Sequence, residues 1–208
     1  MLTTSSLDRL LNQTRKGKDK LLAWHAPEVE VIGKGKVAKP WEFGVKVSVA
    51  VTNKESCVVG CSSMPNNPFD GHTLAETLEQ AGSLSGVTPK GCYVDCGYKS
   101  TAIPDVQIFR SGQKRGVNTR TLKRELKRRS AVEAGIVHVK TDGRMDRWRL
   151  KGVFGDVLNA VLVGAGHNIR LLLRAMAALL RQLFRRILSR IGAGIQNQNF
   201  DPSMRAVA

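Results

Sequence analysis

The chain has 208 residues, 42% of them hydrophobic, and a formal net charge of +16 with a pI near 10.3. That apolar content suffices for one modest core. It excludes a membrane-spanning protein, because the longest uncharged stretch of the C-terminal region, Val157–Ile169, is too short to cross a bilayer and is followed by Arg170 and Arg174. The N-terminus, MLTTSSLDRLLNQTRKGKDK, carries no long apolar run of the kind a signal peptide needs, so the sequence predicts a cytoplasmic chain.

The charge is unevenly placed. Residues 1–109 carry 12 Lys and Arg against 11 Asp and Glu, whereas residues 110–190 carry 20 against 5. Such a surplus exceeds what solubility requires and points to a polyanionic partner, nucleic acid first and an anionic membrane second.

In chain order, residues 1–23 read as a helical remnant with Leu7, Leu10 and Leu11 apolar. Gly33–Lys39 reads as a loop. Glu42–Val51 alternates, with Phe43, Val45, Val47, Val49 and Val51 on one face, which predicts a half-buried strand. Asn53–Glu55 turns into a second strand over about 56–62. Asp70 has the chemistry of a helix N-cap for 71–80, with Leu74, Leu78 and Ala81 facing inward. Two short strands follow, over about 92–95 and 106–109. From Thr119 the pattern is helical, with Leu122, Leu126, Ile136 and Val139 forming an apolar stripe. A basic connector, 144–151, contains Trp148 between Arg147 and Arg149. A long helix over 157–191 then places Arg170, Arg174, Arg181 and Arg185 on one side with His167 alongside, loosened by Gly164 and Gly166. The tail, 191–208, is expected to be disordered.

Four cysteines form two closely spaced pairs, Cys57/Cys61 and Cys92/Cys96. Read as strand residues, members of a pair stand about 13 Å apart, too far to share a zinc ion, so buried reduced thiols are expected. The three tryptophans read as packing residues, with Trp148 the one whose basic neighbours also suit base stacking.

Two spacings carry chemistry. In RRSAVEAGIVHVK, Arg129, Glu133 and Lys140 stand at i, i+4 and i+11, which brings them to one helix face. Upstream, Asp95 ends an apolar run in GCYVDCGY. An acid at a strand end and an acid on a basic helix suit metal-dependent phosphodiester chemistry. Read singly, Glu133 with Arg129 is also an ordinary surface ion pair, and Asp95 an ordinary turn residue.

These residues resemble the bacterial insertion-sequence DDE transposases of the insertion-sequence-five-like group. Arg129, Glu133 and Lys140 match the last three positions of that family's C-terminal signature, whose first position, a tyrosine, is Leu126 here. Asp95, Gly97 and Tyr98 match its Asp-x-Gly-Tyr motif. The stretches HAPEVEVIGKGK, WEFGVKVSVA, NPFDGHTL, GQKR and RSAVE, with LKG, GD and LNAVL beyond them, add to the likeness, which spans roughly 18–190.

The resemblance implies an α/β chain with an RNase H-like mixed sheet flanked by helices, incomplete at the N-terminus and ending in a long basic helix. Its divisions would be 1–23, a helical remnant; 24–190, a partial catalytic domain; and 191–208, the tail. It implies Mg2+ or Mn2+ held by Asp95 and Glu133, DNA contacts by Arg129, Lys140, Tyr98, Arg144 and Arg147, and DNA element ends as partner. A second copy or a full-length transposase is a further expected partner, and a membrane is not. The family's first acid lies upstream of HAPEVE. No residue in 1–24 matches it, so the chain is expected to be an N-terminally truncated, inactive transposase with weak metal binding. The alternative is a non-catalytic DNA-binding or regulatory fragment.

Overall fold

The computed structural model describes residues 4–17, 20–34, 37–38, 40–98, 101–113 and 119–198, with backbone alone for 129–135 and 192–198. Part of the 33–39 loop, the last residues of GQKR, and residues 199–208 of the expected tail lie outside the described residues. The chain is mixed α/β and divides into two compact units, Met1–His167 and Asn168–Ala208.

The first unit opens with α1 (Thr4–Asn12), which buries none of its residues. Next come β1 (Glu30–Gly33) and β2 (Trp41–Gly44), an antiparallel pair. The single strand expected over 42–51 is two strands. Gly44 has φ +145°, a conformation that side chains disfavour, and there the chain leaves β1 and takes a new partner. β3 (Lys46–Val51) pairs antiparallel with β4 (Val58–Met64), with the register shifting between Ala50 and Val51. β5 (Gly91–Val94) and β6 (Gln107–Arg110) run parallel. The described strands thus form three separate two-stranded sheets.

The β3/β4 pair is the centre of the packing. Successive side chains on a strand point to opposite faces. One face is small and polar. It lies on α2 (Asp70–Ser85), where Ser48 Oγ meets Thr77 Oγ1 at 2.8 Å and Gln80 Oε1 accepts from Ser62 Oγ at 2.9 Å and from the Cys61 N–H at 2.8 Å. The other face is apolar. Val58 and Cys61 bury with Ala160 of α4 (Gly152–Gln198), and Val47, Val49, Val51, Met145 and Trp148 pack around them. The predicted alternation of valines is therefore real over β3. Trp148 takes the packing role despite its arginine neighbours, with its indole N–H buried and without a hydrogen-bond partner.

α3 (Arg120–Thr141) carries the expected stripe, with Val139 only 2% exposed and Leu122, Leu126 and Ile136 half-buried. Gly164 does not loosen α4. A Cβ there would stand 3.1 Å from Val58 Cγ1 and 3.3 Å from Cys61 Cβ, so the missing side chain is what lets the helix approach the sheet. His167, expected beside the arginine stripe, is buried instead, with Nε2 3.1 Å from the Ser56 carbonyl oxygen.

The second unit, taken by itself, is the remainder of α4. Arg174, Arg181 and Arg185 are exposed and Arg170 is half-buried. Residues 191–198 continue the helix.

Candidate functional site

Asp95 follows the last residue of β5, at the carboxyl end of the parallel pair, where open α/β sheets characteristically bind ligands. Its neighbourhood is a tight turn. The Tyr98 N–H donates to the Asp95 carbonyl at 3.2 Å, and the Cys96 N–H donates to Asp95 Oδ1 at 2.7 Å. Asp95 itself is exposed.

The turn lies against a second acid. A Cβ on Gly97 would stand 2.9 Å from Asp70 Oδ2, so only glycine admits that carboxylate. Asp70 is not the N-cap that the sequence predicted. Phe69 holds that position, no side chain caps the helix, and Asp70 is its first residue. Its carboxylate instead pairs with Lys46, whose Nζ stands 2.6 Å from Asp70 Oδ1 and also donates to the Pro68 carbonyl at 2.6 Å. Burial first, and then the charge of Asp70, push the Tyr98 phenol above its ordinary pKa; hydrogen bonds with the hydroxyls of Thr73 and Ser48 pull the other way. The two stretches DGHT and DCGY thus meet in space, joined through Lys46 and Gly97.

α3 is tied to β5 beside this turn. Tyr93 stacks on Phe109, with ring centroids 5.2 Å apart, and its hydroxyl donates to Glu125. Burial and that carboxylate raise the Tyr93 phenol to about 12. Positions 129 and 133 follow Glu125 by about one and two turns of α3. The side chains of Arg129 and Glu133 lie outside the described residues. Lys140 is exposed near the end of α3, and exposed Arg144 and Arg147 line a shallow concavity with Thr141, Asp146, Trp148 and Arg149. A second basic concavity, formed by Arg120, Lys123, Arg124 and Lys127, lies on the first turns of α3.

Of the two acids that the resemblance assigns to a metal, Asp95 is described and the side chain of Glu133 is not. Among the described residues no group of three or more His, Cys, Asp or Glu side chains could hold a metal ion. An ammonium group already sits on Asp70, and Asp95 Oδ1 already accepts from a backbone N–H. Of the thiols, Cys61 is buried, Cys57 and Cys92 are half-buried and Cys96 is exposed; all four are free. Cys96 escapes burial because β5 stops at Val94 and the chain turns.

One cluster carried no signal in the sequence. Glu28 and Glu30 of HAPEVE meet Asp156 of α4. Glu28 Oε1 accepts from the N–H of Gly152, the first residue of α4, at 2.6 Å, which satisfies a donor that the helix itself cannot. Glu30 Oε1 accepts from the Asn66 N–H at 2.5 Å. Burial, then Glu28, then Glu30, raise the Asp156 carboxyl from 3.8 to about 6.

No protein-family model, no curated protein and no solved structure matches this chain. Among the described residues no helix is long and apolar enough to cross a membrane.

Proposed function

We propose that this chain is a DNA-binding protein of the DDE-transposase type, with the β5/β6 pair as part of an RNase H-like arrangement, that grips duplex backbone without cutting it. The observation that carries the reading is the cationic surface of α3 and its connector. Arg120, Lys123, Arg124 and Lys127 line one concavity, and Arg144, Arg147 and Arg149 line another one helix length away. Arginines and lysines spread along a helix suit phosphates spaced along a duplex, and such contacts position DNA without reading its sequence. Only contacts with the DNA backbone are proposed: Lys46 holds Asp70, and the side chain of Glu133 lies outside the described residues.

Salt tests it. About six phosphate contacts give a fall in affinity of roughly a thousandfold between 50 and 200 mM salt. Fluorescence anisotropy with labelled duplex measures this directly. Arg144→Gln with Arg147→Gln should flatten the log–log slope by about 2. No binding at 50 mM salt, or a slope unchanged by that double variant, sinks the reading. Plasmid incubated with the chain and Mg2+ or Mn2+ should remain supercoiled.

A second reading keeps the chemistry, with metal and a third acid supplied in a complex with a second copy or with a full-length transposase at DNA element ends. The observation that favours it is the exposed position of Asp95 at the carboxyl end of β5. Nicking that appears only on mixing with such a partner, and is lost in Asp95→Asn, would establish it.

A further inference from the structure

Asn168–Ile191 of α4 leaves a whole side of bulky apolar residues in solvent. Leu172, Met176, Leu179, Leu183, Phe184 and Ile187 are each between 44 and 66% exposed, and Ile169, Leu180 and Ile191 extend the same face. At 100° per residue these side chains cover an arc of about 140°. A coiled-coil seam is narrower, two positions in seven. Single exposed leucines are ordinary, but a contiguous face of this size marks a binding surface.

The charge decides the occupant. Between residues 157 and 200 the chain has no Asp or Glu, and 168–191 holds six arginines. By helix geometry Arg170, Arg174, Arg181 and Arg185 fall along one border of the apolar arc and Arg186 along the other, while Arg190, at the segment's far end, falls within the arc. A second copy of this helix would bring arginine against arginine with no acid to pair with them. A DNA duplex would satisfy the arginines and leave the leucines wet. An anionic bilayer surface accepts both, since the apolar half enters the acyl boundary while arginines on each border reach out to phosphate headgroups. The segment is not apolar enough to span, so it would lie in the interface.

We infer that Asn168–Ile191 binds anionic lipid surfaces as an interfacial amphipathic helix, independently of the DNA-binding reading above. The test uses the full chain and two kinds of vesicle, phosphatidylcholine alone and phosphatidylcholine with a quarter phosphatidylglycerol, read by co-sedimentation. Binding should be at least about tenfold tighter to the anionic vesicles. Arg181→Gln with Arg185→Gln should weaken it about thirtyfold, at roughly fivefold per arginine near the surface. Met176→Ser with Leu180→Ser and Leu183→Ser should weaken it by about a hundredfold or more.

Phe184→Trp gives a readout that does not depend on those variants folding alike. Its added fluorescence should be quenched by brominated acyl chains in anionic vesicles and not by bromide in the buffer. Equal binding to both vesicle types overturns the inference. So does binding that survives the serine substitutions, which would be electrostatic adsorption alone. Release of the chain from vesicles by duplex DNA, with no quenching of the introduced indole by brominated lipid, assigns the arginines to DNA. A dimer that dissolves with the serine substitutions, in a chain that leaves vesicles unbound, assigns the face to a second copy.

Discussion

α4 is one helix with two characters. From Gly152 to His167 the positions that turn inward are Gly155, Asn159, Ala160, Gly164 and His167, and all are buried. From Asn168 to Ile191 none is buried, although this half is richer in leucine. Hydrophobicity alone therefore does not decide which part of a helix packs. The buried half offers small residues that let backbone approach backbone, plus two polar side chains with partners: Asn159 Nδ2 donates to the Leu150 carbonyl at 2.9 Å, and His167 meets Ser56. The exposed half offers large side chains bordered by arginine, which suits a soft or fluid surface better than a fixed sheet.

The strongest way to break this contrast is to enlarge a contact residue. Gly164→Val should cost about 2–3 kcal/mol through overpacking against Val58 and Cys61, and lower Tm by roughly 5–10 °C. Ala178→Val, in the exposed half, should cost no more than about 0.7 kcal/mol, the helix-propensity difference. Equal costs in a urea titration would show that the two halves are not packed differently.

A smaller effect probes how the buried half starts. Glu28→Ala removes the acceptor for the first N–H of α4 and should cost about 1 kcal/mol, whereas Glu28→Gln keeps an oxygen there and should cost less. Thermal melts of the two variants separate hydrogen bonding from charge.

The smallest effect is a pH dependence. Asp156 holds its proton to about pH 6 in the folded chain, against an ordinary 3.8. The folded state thus binds more protons than the unfolded one between those values, and stability falls as pH rises through that window. Below about pH 4 the term vanishes. Asp156→Asn should therefore raise stability at pH 7, by an amount that solvent screening limits to about 1 kcal/mol, with a matching rise in Tm, and leave both nearly unchanged at pH 4. An identical gain at both pH values would mean that the proton is not responsible.

Periodicity made much of the fold legible. α2, α3 and the strands at 92–95 and 106–109 lie close to where their patterns put them, α4 starts five residues before its pattern and runs seven beyond it, and the valines of β3 face the core as their alternation indicates. Partner choice was not legible. The run from Glu42 to Val51 reads as one continuous strand, and the backbone turn at Gly44 divides it between the partners β1 and β4. Asp70 looks like a cap because it precedes a helix, but Lys46, 24 residues earlier, takes its carboxylate. The acids of HAPEVE gave no sign of serving a helix that begins more than a hundred residues later, since such pairings exist only after folding. The arginine stripe was visible on a helical wheel. That His167 leaves it for the interior depends on a carbonyl at Ser56 that no wheel contains.

The uneven exposure of the thiols has a practical consequence. Burial lifts Cys61 and Cys92 to about 11, which keeps both protonated and slow toward alkylating reagents at neutral pH, while Cys96 stands in solvent beside Asp95. Cys96, the one exposed thiol of the four, thus offers an attachment point for a dye or spin label one residue from the acid of greatest interest, and with the half-buried Cys57 replaced by serine, occupancy of that strand end can be followed spectroscopically.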